Sequence, residues 1–236
     1  MGKMKSIILI VLLIVSCDRG ASSFTDRYTD GALVNRRHQM LTAPIIFVGV
    51  VEAVQLVGNP KPALSVQGLT LQLYRARCHV EMTLRGEVSN NFEFWYFGPD
   101  QRYGVTGFPK FWLQPTERRI FFLEQHGSTY RAVGDYLNYT ENVRGGKPDS
   151  KILTTDPDVG KVIARVMLTP GPDFDERLFS GTLLYASQVA EESSSKTYSI
   201  ELLKGLLTHP SALIRSTSCR ILATVYNERS AACSGE

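Results

Sequence analysis

The chain has no apolar run long enough to cross a membrane. Its longest, Ile7–Val15, holds nine residues. As a helix that is a rise of about 13 Å, against the roughly 30 Å of a bilayer's hydrocarbon core, so a permanent span is excluded there. There is also no large charge of one sign: 26 Lys and Arg stand against 23 Asp and Glu. Such balance lacks the electrostatic excess that drives phosphate binding, which argues against nucleic acid as a partner. Cysteine is scarce, four in 236 residues, too few for a disulfide-stapled scaffold. The sequence contains no nucleophile elbow, no His-Glu-x-x-His helix, no phosphate-cradling glycine loop and no Cys-x-x-Cys. These absences leave no catalytic residue, no metal set and no cofactor to predict, and a binding protein is expected before an enzyme.

What is there begins with the apolar run itself. Lys3 and Lys5 precede it and the small Ser16 closes it, which are the parts of a secretory signal peptide. The residues Ile14-Val15-Ser16-Cys17 resemble the lipobox of bacterial lipoproteins. That resemblance implies cleavage before Cys17 and acyl chains, palmitate among them, on the new N-terminus. Each buried methylene adds about 0.8 kcal/mol, so several chains anchor a protein stably where one does not. The opening MGKMKS also fits the Met-Gly-x-x-x-Ser pattern of N-myristoylation, but that pattern leaves the apolar run behind it unexplained. Residues 1–16 are therefore expected to be a lipoprotein signal peptide, and the chain is expected in a bacterial cell envelope, membrane-anchored at Cys17. Without Lys3 and Lys5 the balance is 24 basic to 23 acidic residues. Residues 17–42, rich in Ser, Thr, Asp and Arg with no apolar period, read as a lipidated flexible tether.

From Ala43 the texture changes. APIIFVGVVEAVQLV is continuous β-branched and aliphatic sequence, expected to form a strand that is buried on both faces or closes a barrel. LTLQLYRARCHVEMTLRG alternates with a phase switch: apolar at Leu69, Leu71 and Leu73, then at Ala76, Cys78, Val80, Met82 and Leu84. A slip of one residue predicts a bulge or sharp bend between the two sets. FEFWYF, RRIFFLEQ and, past His126-Gly127-Ser128, TYRAVG complete five strand-like runs, the count of an antiparallel OB-type barrel over 43–144.

The opening IIFVGVVEAV, the long second strand ending VEMTLRG and the later RRIFFLEQHGSTYRAVG resemble the netrin-like module, the OB fold shared by netrin C-terminal domains, complement C-terminal domains and tissue inhibitors of metalloproteinases. In that family the second strand runs into a basic-Gly turn, here Leu84-Arg85-Gly86, and a later hairpin turns on a glycine, here Gly127. Inhibitors of that family present an N-terminal Cys to a catalytic zinc. Nothing like it precedes Ala43 except Cys17, assigned to lipid, so the resemblance implies the fold and not the inhibition.

Beyond Arg144, GGKPDS reads as a linker between separable cores, and 145–236 as a small helical domain. VGKVIARVML and DFDERLFSGTLLYASQVAEE are helix-like. SIELLKGLLTHPSALIRSTSCRILATVY is a helical pair broken at Pro210, with Ile200, Leu203, Leu206 and Leu207 on one face and Leu213, Thr217, Ile221, Leu222 and Val225 on another. The pair is faintly similar to one HEAT repeat; an ordinary hairpin packed on the barrel is the simpler expectation. The fold class is thus α+β, an OB-like (netrin-like) antiparallel barrel followed by a helical C-terminal domain.

Arg75, Arg77, His79, Glu81, Thr83 and Arg85 would share the outward face of the second strand, with FEFWYF nearby. On an OB barrel this is a place for a protein or glycan ligand, with Arg75, Arg77, His79 and Arg85 as the candidate contacts; a merely solvated face is the plain alternative. Glu124 and His126, two apart on a strand, could hold a metal only with further ligands, which no spacing supplies. Asp156, Asp158, Asp173, Asp175 and Glu176 could serve an envelope hydrolase or, more simply, cap helices. A secreted protease inhibitor is the remaining alternative. Of the cysteines other than Cys17, Cys219 and Cys233 are the expected disulfide pair, because Cys78 falls in a strand where a buried free thiol is common.

Overall fold

The computed structural model describes residues 42–57, 65–66, 69–99, 113–133, 140–150, 152, 156–193, 196–228 and 233. The predicted signal peptide, Cys17 and all but the last residue of the tether lie outside the described residues.

Among the described residues seven strands form one sheet: β1 (Ile45–Leu56), β2 (Ser65–Val66), β3 (Leu69–Arg85), β4 (Asn91–Pro99), β5 (Arg118–His126), β6 (Thr129–Ala132) and β7 (Thr140–Asn142). The order is β1-β3-β4-β6-β5, and β5 returns to pair with β1, closing a five-stranded barrel. The five runs expected from the sequence are these five strands; β2 and β7 are short additions. One contact differs from an all-antiparallel barrel. Where β4 meets β6, at Trp95 and Arg131, the pairing is parallel, because two strands that run the same way must meet for this order to close.

Inside the barrel the core is aromatic. Phe47, Phe94 and Phe121 are fully buried, with ring centroids 5.0 Å apart for Phe47–Phe121 and 5.2 Å for Phe94–Phe121. Tyr74 stacks on Tyr96 at 5.4 Å. Phe92, Phe94 and Tyr96 alternate with Glu93 and Trp95 along β4, so period two sends the former inward.

Four helices follow: α1 (Val159–Leu168), α2 (Glu176–Ser193), α3 (Lys196–Gly205) and α4 (Ala212–Thr224), with a 3-10 turn over Leu206–Thr208. Asp158 starts α1 by accepting from the backbone N–H of Gly160 and Lys161, and Ser211 starts α4 by accepting from Ile214 N. Of the residues expected on the helical faces, Ile200, Leu203, Leu206, Thr217, Ile221 and Leu222 are buried, but Leu213 is exposed and Ile214 takes the buried place. The start of α4 is rotated by one position relative to the face drawn from the sequence.

These helices cover one flank of the barrel. Ile46 and Val48 of β1, Leu84 of β3, and Ile120 and Phe122 of β5 belong to the same buried cluster as Ile163, Met167, Phe179 and Leu203. Alternate residues of the same strands, Phe47, Phe121 and Leu123, point into the barrel. This is why β1 reads as continuously apolar: Ile45 to Val48 are buried whichever way they point.

The GGKPDS segment, expected to be a spacer between separable cores, is instead packed, and the barrel flank and helices share one continuous core. Gly145 O accepts from Gly171 N, and Lys147 N donates to Asp173 Oδ1. Gly146 has φ 79°, and a Cβ there would stand 2.7 Å from Phe174 N. Only glycine fits so close a crossing in that conformation. Composition marks glycine alike for a loose linker and for a close approach.

The phase switch in β3 is also relocated. From Leu71 to His79 the pairing with β4 has no slip, and Tyr74, Ala76 and Cys78 all lie within the barrel. The register shifts fall elsewhere: partners of β1 jump past Glu81 and Leu84 on β3, and Glu52 is skipped on β1. Val80 accordingly packs on the barrel interior, whereas Met82 and Leu84 pack on the helix side. Even positions stay apolar across the shift because both sides of the strand are covered.

Candidate ligand-binding face

The barrel's other flank, formed by β3, β4 and β6, is open. Arg75, Arg77 and His79 project from β3 and are exposed, and they lie opposite Trp95, Glu93 and Asn91 of β4. The fourth predicted contact does not join them. Arg85 is half-buried at the strand's end and donates to Ala43 O at 3.0 Å. The two exposed arginines are engaged locally: Arg75 donates to Gln55 Oε1 at 2.7 Å and stands 3.8 Å from Glu93, and Arg77 donates to Glu52 at 3.0 Å. They form a self-neutralised lattice and not a free cationic row.

Glu81, expected on the same solvated face, is withdrawn from it. Its side chain is 7% exposed, and both carboxylate oxygens accept from Arg118, at 2.6 and 3.0 Å. Arg118 also reaches Asp173 at 3.4 Å, tying β3 and β5 to the loop before α2. The hydrogen bond to Glu81 raises the Arg118 pKa despite burial. Asp173 is held below the ordinary carboxylate value chiefly by the Lys147 N–H, against desolvation, with Arg118 adding to the lowering. The bulge at Glu81 turns this carboxylate toward the covered flank, a detail that alternation alone does not carry. Arg119, the neighbour of Arg118, points the other way and is 6% exposed; it donates to Thr140 Oγ1 at 2.8 Å and pairs with Glu117 at 3.0 Å.

The concavity of this flank lies beside the arginine row. A cleft of about 510 Å³ sits over β4 between the turn after β3 and the β5–β6 hairpin, lined by Glu87, Ser89, Asn91, Phe92, Glu93, Trp95, Ser128, Thr129 and Tyr130. Its walls are fixed by ordinary means. Gly86 at φ 77°, where a Cβ would meet Pro44 O at 2.7 Å, sets the first turn against the start of β1. The Phe92 and Tyr130 rings pack at 4.7 Å, joining β4 to the hairpin. Trp95 was visible in the sequence as an aromatic near the arginines. The loop residues of the cleft were missed, since nothing in their spacing brings residues 87–89 beside 128–130.

The other candidates are placed as follows. Glu124 accepts from Arg131 at 2.6 Å, and His126 is exposed nearby; no group of three metal-ligating side chains occurs among the described residues. Asp158 caps α1, Asp175 accepts from Leu178 N at 2.8 Å, and Asp156 accepts from Asp158 N at 2.9 Å. Glu176 accepts from Ser211 Oγ. Cys219 and Cys233 are joined by a disulfide, and Cys78 is a buried free thiol. Burial, reinforced by Glu52, pushes the Cys78 pKa up from 9.0 to about 12. Among the described residues of the helices, the large apolar side chains Leu178, Leu184 and Leu213 stand exposed. No helix among the described residues is long and apolar enough to cross a membrane.

No family model matches the chain, and no curated protein matches it significantly.

Proposed function

We propose that the chain is a bacterial envelope lipoprotein, anchored by acyl chains on Cys17, whose barrel is a netrin-like binding module for a protein or glycan ligand. The observation that carries the binding role is the cleft over β4: it combines two partly exposed rings, Trp95 and Tyr130, with polar side chains from strands and turns, Glu87, Ser89, Asn91, Glu93, Ser128 and Thr129, and a ring with a polar handle is a common anchor in recognition. The netrin-like reading is supported by the two glycine turns, Gly86 at φ 77° and Gly127 at φ 63°, which stand where that family places its own. The anchor rests on the apolar run and on Ile14-Val15-Ser16-Cys17. The chain enters the barrel beside Gly86, at the end that carries the cleft.

Binding is favoured over hydrolysis by the loop carboxylates. Asp156, Asp158 and Asp175 each accept from a backbone N–H, the work of turns and caps.

Two measurements test the proposal. Labelled palmitate should mark the protein made in a bacterium, and Cys17→Ser should abolish the label and leave an unprocessed precursor; equal labelling of the variant defeats the anchor. For the binding role, the full chain and its Trp95→Ser variant are compared on a peptide and glycan array. Signals that vanish with Trp95→Ser support the cleft, and turnover of array compounds would move the reading to an enzyme.

A further inference from the structure

The cleft over β4 is unusual in its hydrogen-bonding balance. Ser89 spends its hydroxyl proton on Asn91 O, and Thr129 spends its own on His126 O at 2.9 Å. What these side chains offer a ligand is therefore oxygen lone pairs, to which the exposed Glu87 and Glu93 add carboxylates. Among the described residues no Lys or Arg lines the cleft. Two partly exposed rings, Trp95 and Tyr130, also line it, and an aromatic ring attracts a cation to its face. Acceptors, carboxylates and aromatic rings converge, and the donors beside them, on Asn91, Ser128, Trp95 and Tyr130, are all neutral. Phosphate and carboxylate ligands are disfavoured by the two carboxylates, whereas an ammonium or guanidinium matches the carboxylates, the acceptors and the rings.

Resting on the binding role proposed for this face, we propose that the cleft takes a basic side chain, Arg or Lys, presented by an extended segment of a partner polypeptide. The cation lies between Glu87 and Glu93 and over the Trp95 ring. Arg75, 3.8 Å from Glu93, leaves Glu93 partly engaged, so Glu87 supplies the larger share of charge. This arrangement predicts affinity that falls with salt, because the carboxylates are exposed.

The test titrates the full chain, held in neutral detergent, with tetra-arginine and tetra-lysine peptides, the lysine peptide acetylated at every amine, and a neutral β-linked oligosaccharide. The basic peptides should bind and the acetylated peptide should not. Glu87→Gln and Trp95→Leu should each weaken binding about three- to tenfold. Glu201→Gln, which removes the same charge from the exposed surface of α3, should leave it unchanged. Circular dichroism checks that each variant is folded. Equal weakening by Glu201→Gln, equal binding of the acetylated peptide, or no binding of the basic peptides at millimolar concentration overturns the inference. Oligosaccharide binding lost in Trp95→Leu, with no peptide binding, overturns the cation and retains the binding face. Peptide binding that every cleft variant retains overturns both.

Discussion

The two flanks of the barrel are built from neighbouring strands and treated oppositely. On the β1–β5 flank, side chains that leave the barrel, Ile46, Val48, Ile120 and Phe122, are apolar and are buried under helices. On the β3–β4 flank, the corresponding side chains are Arg75, Arg77, Glu93 and Trp95, exposed or partly so. The interior is continuous between them, so the difference lies wholly in what the outward positions meet. One flank is covered and the other is left open to solvent.

The largest effect should come from breaking the covered flank. Phe122→Asp puts a carboxylate where the native ring is 1% exposed, and the chain should fail to fold, read as loss of a cooperative melt. A melt like that of the wild type would mean that the helices are not fixed to the barrel. Next is the tie between the flanks. Glu81→Ala leaves Arg118, 20% exposed, without its bidentate partner and should cost about 3 kcal/mol in urea unfolding; a cost under about 1 kcal/mol would place the pair at the surface in effect.

Inside the barrel, Cys78→Ser exchanges a weakly polar thiol for a hydroxyl at a fully buried position and should cost about 1–3 kcal/mol. The raised thiol pKa carries a sign that can be checked. Its contribution to stability is whole below the unfolded value of 9.0 and is lost as pH rises toward the folded value of about 12. Alkylating reagents at neutral pH should therefore label Cys78 only after unfolding, read by peptide mass spectrometry. The smallest effect belongs to the open flank. Arg77→Ser removes a 3.0 Å pair to Glu52 whose partners are 53% and 37% exposed, and stability should change by no more than about 0.5 kcal/mol. A larger loss would show that the arginine lattice holds the barrel together.

The contrast between the flanks also explains what was legible in the sequence. The barrel strands were visible because covering acts on periodicity: β1 and β5 read as continuous apolar runs, and β4 as strict alternation of Phe92, Phe94 and Tyr96 with polar or amphipathic neighbours. The helices were visible from their apolar spacing, with VGKVIARVML matching α1 residue for residue. Three things were hidden. The bulges at Glu81 and Leu84 keep even positions apolar while changing which core they meet, so no pattern records them. Gly146 looks like a linker residue and is a packed crossing. The cleft joins residues 87–95 to residues 128–130 through barrel closure, a pairing that no local spacing encodes. Arg75 and Arg77 are exposed, as the alternation of β3 implies, but their charges are met by Glu93 and Glu52 of neighbouring strands, with Gln55 accepting a further hydrogen bond, and it is these cross-strand partners that move the candidate site onto β4.

The central claim is that recognition belongs to the open flank. It is tested most directly by amide hydrogen exchange on the full chain, with and without the tightest-binding compound from the peptide and glycan array. Protection should rise in residues 87–95 and 128–131 and stay unchanged in α2 to α4. Protection confined to the helices around Leu178, Leu184 and Leu213, with the turns flanking β4 unaffected, would contradict the account.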